Sequence, residues 1–146
     1  MAADGVVYTS DVSGLTPTDL ARFFVDWPSP PSPERHLEIL RGSDYVVLAR
    51  EGPVEGDAGR VVGFITAISD GVLSAFIPLL EVLPEHQGQG IGSELVRRML
   101  SRLEEFYMVD LVCDPELEPF YARFELMLLT SMGVRRRHLL AAERGA

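Results

Sequence analysis

Residues 79–92 read Leu-Leu-Glu-Val-Leu-Pro-Glu-His-Gln-Gly-Gln-Gly-Ile-Gly. An apolar run ends at a proline, three alternating glycines follow, and from Ile91 the apolar residues recur at helical spacing. A strand that runs into a glycine turn and opens a helix gathers backbone N–H groups that no side chain shields. A helix N-terminus leaves about four such donors unsatisfied and carries roughly half a positive charge. The stretch therefore predicts a binding site for a phosphate or a pyrophosphate.

Two common phosphate-binding motifs do not match this stretch. The mononucleotide P-loop requires Gly-Lys-Ser/Thr at the helix start, whereas Gly92 is followed by Ser93 and Glu94. The dinucleotide fingerprint requires G-x-G-x-x-G in the first βα unit, whereas this chain has G-x-G-x-G after a long β-type N-terminal half. A nucleotide-dependent enzyme is therefore the least favoured interpretation.

The motif that does match is Gln/Arg-x-x-Gly-x-Gly, formed by Gln87, Gly90 and Gly92. It closely resembles the coenzyme A pyrophosphate loop of the GNAT superfamily of N-acyltransferases. A second piece, Pro-Phe-Tyr-Ala-Arg-Phe at 119–124, resembles the Phe-Tyr-x-x-x-Gly-Phe segment of that family. The resemblance covers residues 61–136 and has two departures: Glu125 replaces the glycine, and Asp114 stands where many relatives have an asparagine.

The hydrophobic pattern predicts one domain, residues 1–146, of the α/β class. The expected fold is a GNAT-like mixed, mostly antiparallel central sheet flanked by helices on both faces. Strands are predicted at 6–9, 45–49, 61–68, 73–82 and 108–113, with further β-type sequence at 126–137. Helices are predicted from Thr16 to about 27, and at 32–42, 91–106 and 117–124.

Composition excludes several classes of function. The 146-residue chain has a formal net charge of −9, which disfavours nucleic acid and anionic membranes as partners and suits a cationic amine. No apolar run approaches the roughly 18–20 residues that span a bilayer, and the first residues do not read as a signal peptide, so we expect a cytoplasmic protein. A single cysteine cannot form an internal disulfide, and the three histidines show no metal-ligand spacing, so no metal is expected.

The resemblance implies a role for each part of the motif. The main chain of Leu80, Glu81 and Val82 would pair with the pantetheine arm of the cofactor, and a backbone N–H there would polarise the thioester carbonyl. The pyrophosphate would be held by the glycine turn, and Asp114 would contact coenzyme A. Tyr121 would protonate the departing thiolate, since a phenol and a thiol have similar ordinary pKa values. The turn residues concerned are Gln87, Gly88, Gln89, Gly90, Ile91 and Gly92.

Several assignments stay open at the level of sequence. Tyr121 is either the general acid or a packing aromatic on an amphipathic helix. The general base is Glu81 or Asp114, unless Glu81 points to solvent at the end of its strand. The arginines of the helix after the glycine turn form a solvated face, although one of them could reach the 3′-phosphate of coenzyme A: Arg97, Arg98 and Arg102.

Together these features predict an N-acetyltransferase that moves an acetyl group from acetyl-CoA to a primary amine by direct attack in a ternary complex. The acceptor would be a small-molecule or peptide amine. The alternative is a non-catalytic module that binds or senses acyl-CoA, which loss of the Tyr121 hydroxyl would not affect. A third possibility is a longer acyl donor. Many relatives form homodimers through C-terminal strands, and the apolar run at 126–129 is compatible with one.

Overall fold

The computed structural model describes residues 5–52 and 59–141. In this part of the chain, short 3₁₀ turns and loops connect five strands and four helices. In order they are β1 Val6–Thr9, α1 Pro33–Gly42, β2 Tyr45–Glu51, β3 Val61–Ser69, β4 Ser74–Val82, α2 Ile91–Arg102, β5 Met108–Leu111, α3 Glu118–Ala122 and α4 His138–Ala141.

The five strands form one sheet in the order β1-β2-β3-β4-β5. The first three pairings are antiparallel, and β4 with β5 is parallel. A parallel pair needs a long crossover, and α2 supplies it between the two strands. The prediction of a mixed, mostly antiparallel α/β sheet is confirmed.

Helices bury both faces of the sheet. On β2, Val46 and Leu48 pack with α1 on one face, whereas Val47 and Ala49 pack with α2 on the other. Side chains alternate along a strand, so two covered faces require apolar residues at nearly every position. This explains why β2 and β3 read as continuous apolar runs in the sequence and why the prediction of helices on both faces holds.

The end of β4 separates from β5. Their pairing runs only from Ser74↔Met108 to Ile77↔Leu111, although β4 continues to Val82. The next residue is Pro78, which has no N–H to donate, and the register with β3 also shifts here. The last four residues of β4 therefore have β3 on one side and no β5 partner on the other.

The helix predicted from Thr16 to about 27 is wrong. A 3₁₀ turn, Pro17–Leu20, begins as expected, with Thr16 and Asp19 capping each other. The chain then turns through left-handed backbone at Arg22, Phe24 and Asp26. The apolar spacing that suggested a helix comes instead from tertiary packing, since Leu20 and Phe24 are buried against α1 and the sheet.

An aromatic cluster lies under this segment. His36 of α1 is 1% exposed and is surrounded by the rings of Phe23, Phe24 and Phe64, with centroids 4.4 to 5.4 Å away. Neither ring nitrogen of His36 has a described hydrogen-bond partner within bonding geometry. Burial lowers the pKa of His36 to about 4, although the nearby main chain of Leu20 opposes this shift. The imidazole is therefore a neutral core group.

The chain after α3 also differs from expectation. No strand forms within residues 126–137, where β-type sequence had suggested one, and the short α4 follows instead. The turn after α3 nevertheless forms without the family glycine, because Glu125 itself adopts a left-handed φ of 64°. The predicted helix at 117–124 is shorter than expected, with a 3₁₀ turn, Pro115–Leu117, preceding α3.

Candidate acyl-transfer site

A cavity of about 800 Å³ opens where the end of β4 leaves β5. Its walls come from residues of 22–26, 80–84, 86–93 and 117–123. The volume falls within the range of about 300–1,000 Å³ that is usual for small-molecule sites. The structure therefore brings the glycine turn and the α3 segment, about 30 residues apart in sequence, to one cavity.

The glycine turn presents bare main chain to this cavity. Gly88 and Gly90 have φ values of 77° and 85°, and Gly90 is the N-cap of α2 with no capping side chain. The first N–H groups of α2 are therefore not used by a cap. The side chain of Gln87 donates to the Val82 carbonyl at 3.0 Å and ties the turn to β4. An anion at this helix end would meet both free donors and the positive end of the helix dipole.

Arg123 adds a cation that sequence reasoning missed. Its guanidinium lines the cavity, donates to Ser93 Oγ on the first turn of α2 at 2.7 Å, and lies over the rings of Phe120 and Phe124. No carboxylate among the described residues pairs with it, whereas Arg22, which also lines the cavity, is bound to Glu85 at 2.9 Å. A guanidinium and the positive end of a helix dipole repel each other. Their proximity is therefore electrostatically favourable only when an anion binds to both.

The arginines considered from the sequence lie elsewhere. Arg97 and Arg98 pair with Glu94 on α2, and Arg102 donates to Ser10 Oγ and the Val46 carbonyl. None of the three lines the cavity. The only sequence signal for Arg123 was its place two residues after Tyr121, and nothing in the spacing linked it to Ser93.

Glu81 projects into the cavity from β4. It is half-buried, and its Oε2 accepts a hydrogen bond from the Phe24 N–H at 2.9 Å. Burial raises the pKa of this carboxyl, and the Phe24 N–H opposes the shift in part. Glu81 therefore does not point into open solvent. A carboxylate with a raised pKa that lines a cavity fits the chemistry of a general base.

Tyr121 lines the same cavity from α3. Phe120 packs edge-on against it with centroids 4.9 Å apart, and the Tyr121 hydroxyl bonds to no described residue. Burial, together with a smaller contribution from the nearby Cys113, raises the pKa of Tyr121 to about 12. The phenol is therefore protonated throughout the physiological range. Phe120 and Tyr121 both pack against the core, and both also line the cavity.

The other predicted residues divide into two groups. Leu80 and Val82 line the cavity, as do most of the turn residues. Gln89 and Asp114 do not line it. Asp114 is exposed after β5, and its carbonyl accepts from the Leu117 N–H at 2.9 Å. Of the two candidate bases, Glu81 lines the cavity and Asp114 does not.

The end of β4 that separates from its parallel neighbour thus lies beside the glycine turn and the N-terminus of α2, at one cavity. The model of the acetyltransferase (GNAT) family matches residues 14–125. This chain belongs to the GNAT family of acetyltransferases. A comparison with curated proteins gave no match.

Solved structures agree with the family assignment. The crystal structure of a presumed acetyltransferase from Deinococcus radiodurans R1 is 40% identical, with a TM-score of 0.89 over 99% of this chain and 100% of that chain. A GNAT family acetyltransferase from Streptococcus pneumoniae TIGR4 is 26% identical, with a TM-score of 0.68 over 90% and 98% of the two chains. The NatC complex bound to Gag peptide and CoA shares the fold, at 18% identity and a TM-score of 0.61 over 82% and 81%.

Two further features of the described residues bear on the site and its surroundings. None of their helices is both long and apolar enough to span a membrane. Nor do histidine, cysteine and acidic side chains within 5–52 and 59–141 form a group of three or more that could hold a metal ion.

Proposed function

We propose that this protein is an N-acetyltransferase that transfers the acetyl group of acetyl-CoA to a primary amine by direct attack in a ternary complex. One observation carries the proposal: the glycine turn, the separated end of β4, Glu81 and Tyr121 all line the same cavity. The CoA present in the NatC structure, which shares the fold, supports the cofactor class. No metal is part of the proposed chemistry.

The cofactor would lie along the edge of β4 that β5 leaves open. The main chain of Leu80, Glu81 and Val82 would pair with the amide groups of the pantetheine arm, as an added strand does. The pyrophosphate would bind the N–H groups between Gln87 and Gly92, and Arg123 would supply the matching positive charge. Contact of Gln89 and Asp114 with the cofactor remains a prediction.

The chemistry would proceed at the far end of that arm. The amine nitrogen attacks the thioester carbonyl carbon, and a β4 N–H stabilises the oxyanion that develops. Glu81 takes the proton that the amine loses. The tetrahedral intermediate then expels the CoA sulfur and leaves an amide and free CoA. Glu81 is anchored by the Phe24 N–H, so its second carboxylate oxygen is available to the amine.

Tyr121 would donate a hydrogen bond to the departing CoA sulfur. The similarity of pKa values expected for an ordinary phenol and an ordinary thiol does not hold here, however. A pKa of about 12 lies well above the ordinary thiol value of about 8.5, so the phenol holds its proton more tightly than free CoA thiol would. Hydrogen bonding to the developing thiolate is therefore its main contribution, with full transfer favoured only if the same buried site raises the thiol pKa.

The test is a panel of primary amines incubated with acetyl-CoA, with release of free thiol as the readout. We expect at least one amine to release thiol in proportion to acetylated product, and Tyr121→Phe to lower kcat at least tenfold while acetyl-CoA affinity stays the same. If acetyl-CoA binds but no amine is acetylated, and Tyr121→Phe binds it equally, the non-catalytic acyl-CoA-binding alternative replaces the proposal. Propionyl- and longer acyl-CoA donors in the same assay test the acyl-chain preference.

The role of Arg123 has a matched control on the same surface. Arg123→Gln should weaken the binding of CoA about tenfold, because a charge-assisted contact to phosphate is worth about 1.5–3 kcal/mol. Arg97→Gln removes a cation that also lies near Phe124, but Arg97 is paired with Glu94 and does not line the cavity. Equal CoA affinity of the two variants would remove Arg123 from the binding site.

The remaining parts of the functional prediction concern the surroundings of the enzyme. The net charge of −9 supports a cationic amine acceptor and disfavours nucleic acid and membrane surfaces. A cytoplasmic location stays a prediction.

A further inference from the structure

A second cavity, of about 280 Å³, lies between the proline run that precedes α1 and the segment that follows the first 3₁₀ turn. Most of the lining of this proline cavity is apolar and comes from one leucine, two phenylalanines and three prolines: Leu20, Phe23, Phe24, Pro30, Pro31 and Pro33. An apolar cavity of about 150 Å³ can bind benzene, so the proline cavity has room for a substituted ring.

A buried polar side chain, that of His36, also lines the proline cavity. The imidazole is 1% exposed, and neither ring nitrogen bonds to a described residue within hydrogen-bonding geometry. A neutral imidazole has one N–H donor and one bare nitrogen that accepts. Because buried polar atoms are nearly always hydrogen-bonded, a hydroxyl on a bound molecule would satisfy a group that the described part of the protein does not. The proposed acyl transfer makes no use of His36.

The proline cavity and the acyl-transfer cavity share a wall. Arg22, Phe23 and Phe24 line both of them. The N–H of Phe24 is the group that anchors Glu81, the proposed base. The cation of this wall, Arg22, is already paired with Glu85 at 2.9 Å. A molecule whose amine reaches Glu81 therefore has the proline cavity beside it, across a wall of two aromatic rings and a neutralised arginine.

We propose that the proline cavity binds a side group of the amine acceptor: an uncharged, ring-sized apolar group that carries a hydroxyl, which bonds to His36. The inference rests on the proposed acetyltransferase function and narrows its substrate class. The amine lies at Glu81, and the side group lies against the Phe23 and Phe24 rings. A second charge on the acceptor is unfavourable here, because the apolar lining would remove it from water and Arg22 is already paired.

Steady-state thiol release with three primary amines tests the inference. Tyramine has a ring and a hydroxyl, phenethylamine has the ring alone, and n-butylamine has neither. We expect kcat/KM to fall about tenfold at each step in that order, as one buried hydrogen bond and then one buried ring are lost. His36→Leu should abolish the difference between tyramine and phenethylamine while both stay better than n-butylamine. Equal kcat/KM for the three amines, or a tyramine preference that survives in His36→Leu, would overturn the proposal.

Pro30 and Pro28 offer a matched pair of variants that leave the buried core intact. Both prolines are exposed, but Pro30 lines the proline cavity and Pro28 lines neither cavity. Pro30→Phe should fill the proline cavity and lower kcat/KM for tyramine at least tenfold, far more than for n-butylamine. Pro28→Phe should behave like the parent. Equal selectivity of the two variants would contradict the proposal. A peptide that begins with tyrosine carries the same groups as tyramine, and the better substrate shows whether the side group belongs to a peptide or to a small amine.

Binding of para-ethylphenol separates failure of this inference from failure of the proposed function. The compound has the ring and the hydroxyl but no amine, so it cannot be N-acetylated. Trp27 is the single tryptophan of the chain and packs on the Phe24 ring with centroids 5.0 Å apart, so its fluorescence should report binding. If the parent binds para-ethylphenol, Pro30→Phe does not, and no amine is acetylated, the cavity is supported and the acetyltransferase function is contradicted. If amines are acetylated but para-ethylphenol does not bind, only the present inference fails.

Discussion

Two segments that line the cavity both contain residues with left-handed backbone conformations, but one uses glycines and the other does not. In the glycine turn, Gly88 and Gly90 take φ values of 77° and 85°. In the segment from 21 to 27, Arg22, Phe24 and Asp26 take φ values of 76°, 62° and 66°. Glycine adopts this conformation without steric cost, whereas other residues lose about 1–2 kcal/mol each. The first turn is therefore encoded locally, and the second is imposed by the rest of the fold.

The contacts around the second segment show what imposes it. The Phe24 N–H donates to Glu81, the Phe24 ring packs against His36 and Phe64, and Arg22 is paired with Glu85. Unusual backbone conformations of this kind concentrate at functional sites. The segment that carries the strain is also the one that anchors the proposed base.

Glu81→Gln tests this link and should have the largest effect. The amide oxygen can still accept from the Phe24 N–H, so the segment is preserved, but the base is lost. We expect kcat to fall about 10²- to 10⁴-fold with the affinity for acetyl-CoA unchanged, measured by thiol release and calorimetry. In the parent, kcat/KM should rise with pH through a pKa above the ordinary glutamate value, because burial raises that of Glu81. Glu85→Gln, with Glu85 bound to Arg22, is the control; equal losses in both variants would contradict the assignment.

The aromatic cluster under the segment should make the protein sensitive to acid. The unfolded chain protonates His36 near pH 6.5, whereas the folded protein resists protonation until about pH 4. Folding stability should therefore fall by roughly 3 kcal/mol as the pH drops through this window. Chemical denaturation at pH 7 and pH 4 measures the change. His36→Phe should lose less folding stability than the parent between pH 7 and pH 4. If His36→Phe loses as much as the parent, His36 is not the cause of the acid sensitivity.

Gly88→Ala distinguishes the effect of a left-handed glycine on folding stability from its effect on CoA binding. Gly88 and Gly71 have φ values of 77° and 79°, and an added Cβ would contact nothing within 4 Å at either position. Both alanine variants should lose about 1 kcal/mol of stability. Only Gly88→Ala should also weaken CoA binding, about tenfold, because it displaces the donors of the turn. Equal CoA affinity in the two variants would show that the turn does not bind the cofactor.

The smallest effect is expected from relief of strain in the second segment. Asp26→Gly replaces an exposed residue of left-handed φ, so it should stabilise the fold by about 0.5 kcal/mol after the entropy of glycine is subtracted. Glu104 is the control: it is exposed, lies in a turn and is not among the described residues of positive φ. Glu104→Gly should therefore destabilise the fold. Denaturant unfolding of both variants measures the difference. A loss of stability in Asp26→Gly would mean that side-chain contacts of Asp26 outweigh its backbone strain.

The same contrast explains how much could be predicted from the sequence. β2, β3, the glycine turn and α2 were predicted because periodicity and glycine placement are local signals. The segment from 21 to 27 was taken for a helix because Leu20, Phe23 and Phe24 have helical spacing, although tertiary packing accounts for them. Arg123 was missed because its link to Ser93 spans 30 residues, and the strands expected after Phe124 do not form within the described chain.

The most direct test of the central claim is a thermal shift of the purified protein with acetyl-CoA, alongside CoA, ATP and NAD. A ligand at about 100 times its Kd adds roughly 2.7 kcal/mol to folding stability, which corresponds to roughly 5–10 °C in Tm for a domain of this size. We expect that shift with acetyl-CoA and CoA and none with NAD. No shift with acetyl-CoA or CoA up to millimolar concentration would show that the glycine turn and Arg123 do not bind a coenzyme A pyrophosphate.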